Sequence, residues 1–105
     1  TRDFARTGLG VVMGTTAYMS PEQARGIRVD TRTDVWSLGV VLYEMLTGRK
    51  PFPGETRADI ISSVLSVEPP PVSSFGQNIP AELDWMVSKA LSKDAEGRYQ
   101  TAREL

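Results

Sequence analysis

From residue 20 onward the apolar positions recur at helical spacings, whereas residues 1–19 carry neither a helical nor a strand period. Glycines at 8, 10 and 14 and threonines at 1, 7, 15 and 16 predict a loop there, with at most a brief strand at Val11-Val12-Met13. Ser20-Pro21-Glu22 then opens a short helix, because Ser20 suits an N-cap, Pro21 the first helical position and Gly26 the stop. The strongest helix is predicted over 33–47, with Thr33 as its cap and Asp34 at its positive end. Its apolar residues, from Val35 and Trp36 through Val40, Val41 and Leu42 to Met45 and Leu46, cover nearly the whole circumference, which predicts burial on most sides. Gly39 in its interior costs roughly 1 kcal/mol of helix propensity, and close approach by another backbone would account for it. Gly48 and Pro51 end this helix.

A third helix is predicted over 57–67, where Thr56 and Asp59 have capping-box spacing and Ile60, Ile61, Val64 and Leu65 share one face. Pro69-Pro70-Pro71 stops it; the run reads as a rigid inter-helix loop, with a polyproline ligand as the alternative. Pro80 starts a fourth helix with Leu83, Met86, Val87, Ala90 and Leu91 inward, acidic residues in its first turn and Lys89 and Lys93 in its last. A final helix begins near Thr101. The expected class is all-α. A helix apolar all round needs partners on every side, yet only two amphipathic helices and some loop are at hand. At about 25 cal/mol per Å² of apolar surface, the uncovered part is costly, so the chain is expected to be incomplete or to bind something along that helix.

Composition narrows the chemistry. In 105 residues there is no cysteine and no histidine, which removes disulfides, thiolate metal sites and the commonest general base. The formal net charge is -1 without a basic stripe, so neither nucleic acid nor an acidic membrane is an expected partner. No stretch has the length of a signal peptide core or membrane span, and a cytoplasmic location is expected.

Three stretches, in order, resemble one family. Gly14-Thr15-Thr16-Ala17-Tyr18-Met19-Ser20-Pro21-Glu22 resembles the end of a protein kinase activation segment, Gly-Thr-x-x-Tyr followed by Ala-Pro-Glu or Ser-Pro-Glu. Asp34-Val35-Trp36-Ser37-Leu38-Gly39, continued by Tyr43-Glu44-Met45-Leu46-Thr47-Gly48 and Pro51-Phe52, is similar to the central helix of the kinase C-lobe and its following loop. Lys93-Asp94-Ala95-Glu96-Gly97-Arg98-Tyr99 is similar to the family's Asp-Pro-x-x-Arg-Tyr box, with Ala95 in place of the proline. The likeness covers about residues 11–105, and Gln23-Ala24-Arg25-Gly26 resembles the bacterial serine/threonine branch.

The resemblance implies an activation-segment remnant over 1–19 and a helical kinase C-lobe fragment over 20–105, truncated at both ends. The parent protein would transfer the γ-phosphoryl of ATP to protein Ser or Thr with Mg²⁺. This segment holds no glycine-rich loop, no strand lysine and no His-Arg-Asp loop, so no ATP or metal is expected to bind it alone. Asp3-Phe4-Ala5 is read as ordinary loop and not as the Mg²⁺-binding Asp-Phe-Gly: Ala5 replaces the glycine and the gap to Ser20 is short. Expected partners are the protein substrate and the missing N-lobe and catalytic loop.

The resemblance also assigns roles. Glu22 would form a buried ion pair with Arg98; the alternative is two surface charges. Asp34 would hold the catalytic-loop backbone, or would simply favour the helix dipole. Thr15 would help place the substrate hydroxyl, Tyr18 and Met19 would line the pocket for the residue after the phosphoacceptor, and Thr7 is a candidate activation-loop phosphorylation site. The alternatives are a turn threonine, simple packing and an unmodified loop. The rival to a kinase segment is a non-catalytic helical interaction module derived from a kinase lobe. Upstream Gly-rich, Val-Ala-x-Lys, His-Arg-Asp and Asp-Phe-Gly motifs would discriminate the two.

Overall fold

The computed structural model describes residues 18–76 and 78–104, and every regular element among them is helical. The order is α1 (Pro21–Ala24), α2 (Thr31–Thr47), α3 (Arg57–Ser66), a 3₁₀ turn (Val72–Phe75), α4 (Ala81–Ala90) and two further 3₁₀ turns at Ala95–Gly97 and Ala102–Glu104. The predicted strand at Val11-Val12-Met13 lies outside the described residues.

Local chemistry fixes the helix ends. At α1, Ser20 Oγ accepts from the Gln23 N–H at 3.2 Å while the Gln23 side chain accepts from the Ser20 N–H at 2.9 Å, a reciprocal cap. Helix α2 starts earlier than the sequence pattern indicates. Its N-cap is Asp30 and not Thr33: the Asp30 carboxylate accepts from the Arg32 N–H at 2.9 Å, and Thr33 returns a hydroxyl oxygen to the Asp30 N–H at 3.4 Å. Gly48 closes α2 in the left-handed region, φ 72°, donating its N–H to the Glu44 carbonyl at 2.7 Å. Thr56 caps α3 by accepting from the Asp59 N–H at 3.1 Å. The final element is a three-residue 3₁₀ turn at Ala102–Glu104 in place of the expected α-helix.

Helix α2 is the spine. Trp36, Val40 and Tyr43 are buried along one side, packed with Phe52, Ile60, Val64, Val72, Val87 and Leu91 from everything that follows in the chain, and Val35 is buried as well. Trp36 stacks on Phe52 with ring centroids 5.2 Å apart and planes 12° from parallel. Gly39 sits where α4 crosses α2: a Cβ there would come within 2.9 Å of the Ala90 Cβ and 3.1 Å of Leu91 Cδ2. The approach is made by α4 side chains, not by a backbone. On the opposite side Val41 and Met45 are exposed, Met45 by 75%, so α2 is covered on one flank and not on most sides.

The proline loop is tied down at both ends. Tyr43 donates its hydroxyl to the Pro70 carbonyl at 2.7 Å, and Asp84 accepts from the Val72 N–H at 3.1 Å and the Ser73 hydroxyl at 2.6 Å. Pro69–Pro71 therefore form a fixed inter-helix connection. Among the described residues no helix is long and apolar enough to cross a membrane.

Candidate functional site: a buried ion pair beneath the Tyr18–Glu22 segment

Three distant parts of the chain converge on Glu22. Its position is set by α1, which Ser20 and Pro21, both buried, anchor against the body. Arg98 arrives from the turn after Ala95–Gly97, and the first turn of α2 supplies Thr33. Arg98 Nη1 and Nη2 each donate to a different Glu22 oxygen at 2.8 Å, a two-pronged fork, and Thr33 Oγ1 donates to Oε2 at 2.7 Å. Arg98 is 2% exposed and Glu22 7%.

The rest of the guanidinium is also satisfied. Nε donates to the Ser92 carbonyl at 2.6 Å, Nη1 to the Arg32 carbonyl at 3.0 Å and Nη2 to the Lys93 carbonyl at 3.2 Å. Its Cζ lies 5.0 Å from the Trp36 ring centroid. Burial alone pushes the Glu22 carboxyl up, but hydrogen bonds from Arg98 and Thr33 outweigh it and bring it from 4.5 down to about 2. The group is a carboxylate at any physiological pH, so the site is an electrostatic clamp and not an acid or base.

Lys93 extends the clamp to α3. Its ammonium donates to the Val64 carbonyl at 2.8 Å and lies 4.6 Å from the Phe52 ring centroid. Burial pushes its pKa down. Above the clamp, the Tyr18 hydroxyl donates to Glu44 Oε1 at 2.7 Å, and Ser37 Oγ donates to the Tyr18 carbonyl at 3.4 Å. That bond to Glu44 raises the Tyr18 pKa, with burial adding to it. Tyr18 and Met19 are half-buried.

Of the residues singled out from the sequence, the structure brings Glu22 and Arg98 together and sets Tyr18 and Met19 next to them along the chain. Asp34 stands exposed on the first turn of α2. Thr7, Thr15 and Asp3-Phe4-Ala5 lie outside the described residues. Sequence reasoning missed Glu44, Lys93 and the Thr33 hydroxyl as members of this network. No local spacing signals them, because each acts on a partner in another element.

Comparisons with known proteins bear on this architecture. The family model described as "Protein kinase domain" matches residues 2–105. The serine/threonine-protein kinase PknB of Mycobacterium tuberculosis is 48% identical over 99 residues, which is 94% of this chain and 16% of that protein. A probable serine/threonine-protein kinase of Clostridium perfringens is 46% identical over 94 residues, 90% of this chain and 14% of its own length. Among solved structures, the twitchin kinase region from C. elegans superimposes with a TM-score of 0.76 at 32% identity, covering 82% of this chain and 15% of that one. This chain thus spans about a sixth of the curated relatives it matches. By the family model, by identity along nearly its whole length and by its helical architecture, the chain belongs to the protein kinase domain family, as part of a serine/threonine protein kinase domain.

Proposed function

We propose that this segment is the substrate-positioning strip and helical base of a catalytic domain that phosphorylates protein Ser or Thr, and that it is inactive by itself. Family membership implies that the whole domain uses ATP and Mg²⁺. Among the described residues no group of three or more His, Cys, Asp or Glu is gathered as a metal site. Their task is different. Phosphoryl transfer needs the substrate hydroxyl held in line with the nucleotide, and positioning accounts for much of the rate. In this reading Thr15 helps place that hydroxyl, Tyr18 and Met19 receive the residue after it, and Asp34 holds the catalytic-loop backbone. Thr7 is a site at which added phosphate would order the segment. The reaction draws on intracellular ATP, which puts this segment in the cytoplasm.

The observation that carries the reading is the buried Glu22–Arg98 fork, which pins the end of the Tyr18–Glu22 segment to the helical body. A strip held this way keeps its geometry when a substrate presses on it. The Tyr18–Glu44 bond fixes the strip at its other end. The test is a kinetic comparison of the parent catalytic domain with its Tyr18→Phe and Tyr18→Ala variants. The expected result is a peptide KM raised several-fold with the KM for ATP unchanged. An unchanged peptide KM would remove the positioning role. The inactivity is checked by titrating the 105-residue chain with Mg-ATP in a calorimeter, where saturable binding at micromolar nucleotide would overturn it.

A further inference from the structure

We propose that the outer face of α4 is a self-association surface, on which two copies of this chain pair antiparallel about a twofold axis with Trp85 at the centre. Helix α4 buries Val87 and Ala90 and turns Ala81, Glu82, Trp85, Ser88 and Lys89 to solvent. Trp85 is 75% exposed, a large apolar group in the middle of an otherwise small and charged face. An isolated exposed apolar residue needs no explanation by itself. What points to an occupant is the pattern around it.

Glu82 and Lys89 are seven residues apart, two helical turns, and they flank Trp85 from either end of the helix. An antiparallel copy sets Glu82 opposite the second copy's Lys89, and Lys89 opposite its Glu82. This is the reciprocity an isologous twofold contact requires. Both indoles then lie side by side near the axis, and Ala81 and Ser88 are small enough to leave room for them. Lys89 Nζ is 4.5 Å from the Tyr99 ring centroid, a contact that steadies the ammonium without neutralising it. A partner of uniform charge would satisfy only one end of this face. A second copy satisfies both. The exposed side of α2, with Val41 and Met45, has no such matching charges among its exposed apolar residues.

A ten-residue helix offers a contact only about 15 Å long, which belongs to the small, transient class of interface. The association is therefore weak and concentration-dependent. It is read by sedimentation equilibrium of the full 105-residue chain up to high micromolar concentration. Trp85→Ala, Glu82→Lys alone and Lys89→Glu alone should each weaken self-association about ten-fold or more, the scale of a central anchor, with unchanged helicity by circular dichroism. The decisive arm is the equimolar mixture of the Glu82→Lys and Lys89→Glu chains. Each opposes itself with like charges, but together they restore both charge pairs and should associate like the unaltered chain. A monomeric unaltered chain, or single variants that associate as it does, would overturn the proposal. So would a mixture no stronger than its components, including association that persists in every variant through the apolar side of α2.

Discussion

Arg98 can sit inside the molecule only because each of its N–H groups meets an acceptor, and one acceptor, Glu22, is charged. Removing one partner strands the other charge in a place water does not reach. Glu22→Gln and Arg98→Met are each expected to cost about 3–5 kcal/mol, and the double variant much less than their sum. Urea unfolding of the four chains checks this; effects within about 0.5 kcal/mol that simply add would mark both as solvated charges. The same pair governs acid stability. The Glu22 carboxyl is lowered on folding from 4.5 to about 2, so its contribution is complete above about pH 4.5 and is lost as pH falls toward 2. Urea midpoints measured from pH 5 to pH 2 should fall steeply for the unaltered chain and more gently for Glu22→Gln. A residual slope remains because Arg32 also holds the Asp30 carboxyl down, to about 2. In the sequence, two charges 76 residues apart are linked only through the family resemblance, since no periodicity spans that distance. Thr33 reads as a helix cap because local spacing reports neighbours along the chain, not a carboxylate delivered by another helix. Glu44 is silent for the same reason: nothing beside it announces that Tyr18 will reach it.

Among the elements, α2 and α4 cross closely at Gly39. Gly39→Ala would improve helix propensity by about 1 kcal/mol, yet the new methyl would meet Ala90 Cβ at 2.9 Å. Overpacking of this kind costs about 1–3 kcal/mol, and the obstacle is the stem of a helix side chain, which cannot swing away. The expected result is a lower thermal midpoint; a higher one would show that the helices part at little cost. Helix α3 and the start of α4 were legible to within a residue, because proline runs, Thr56 and amphipathic faces mark them directly, but α4 stops at Ala90, so Lys93 lies beyond its last turn and not in it. The start of α2 was not. Asp30 and Thr33 are both good caps, and a pattern of apolar residues begins only at Val35, so the sequence offers two starts three residues apart. The choice falls to Asp30 because Thr33 is engaged twice, by the Asp30 N–H and by Glu22. The last turn stays 3₁₀ at Ala102–Glu104, where the Gln100 N–H is taken by the Glu104 side chain at 2.6 Å.

For the whole molecule, the apolar circumference of α2 was visible in the sequence, but which flank stays open was not: that depends on where α4 and the Phe52 loop settle. With Val41 and Met45 in water, the isolated chain is expected to bind hydrophobic dyes and to unfold over a broad thermal range. Met45→Lys should reduce the dye signal without lowering stability by more than about 0.5 kcal/mol. A clean monomer with a sharp, reversible transition and no dye binding would show that this flank is harmless. The clamp has a kinetic meaning too. Joining Glu22 to Arg98 closes a loop of most of the chain, and the entropy of that closure must be met before the contact returns anything. Contacts of such long range tend to form after the main barrier. Arg98→Met should then leave the refolding arm of a chevron nearly unchanged and raise the unfolding rate by roughly the whole loss in stability. The ion pair would act as a bolt that slows escape from the native state, so the lifetime of the folded segment, more than the speed of its assembly, rests on one carboxylate.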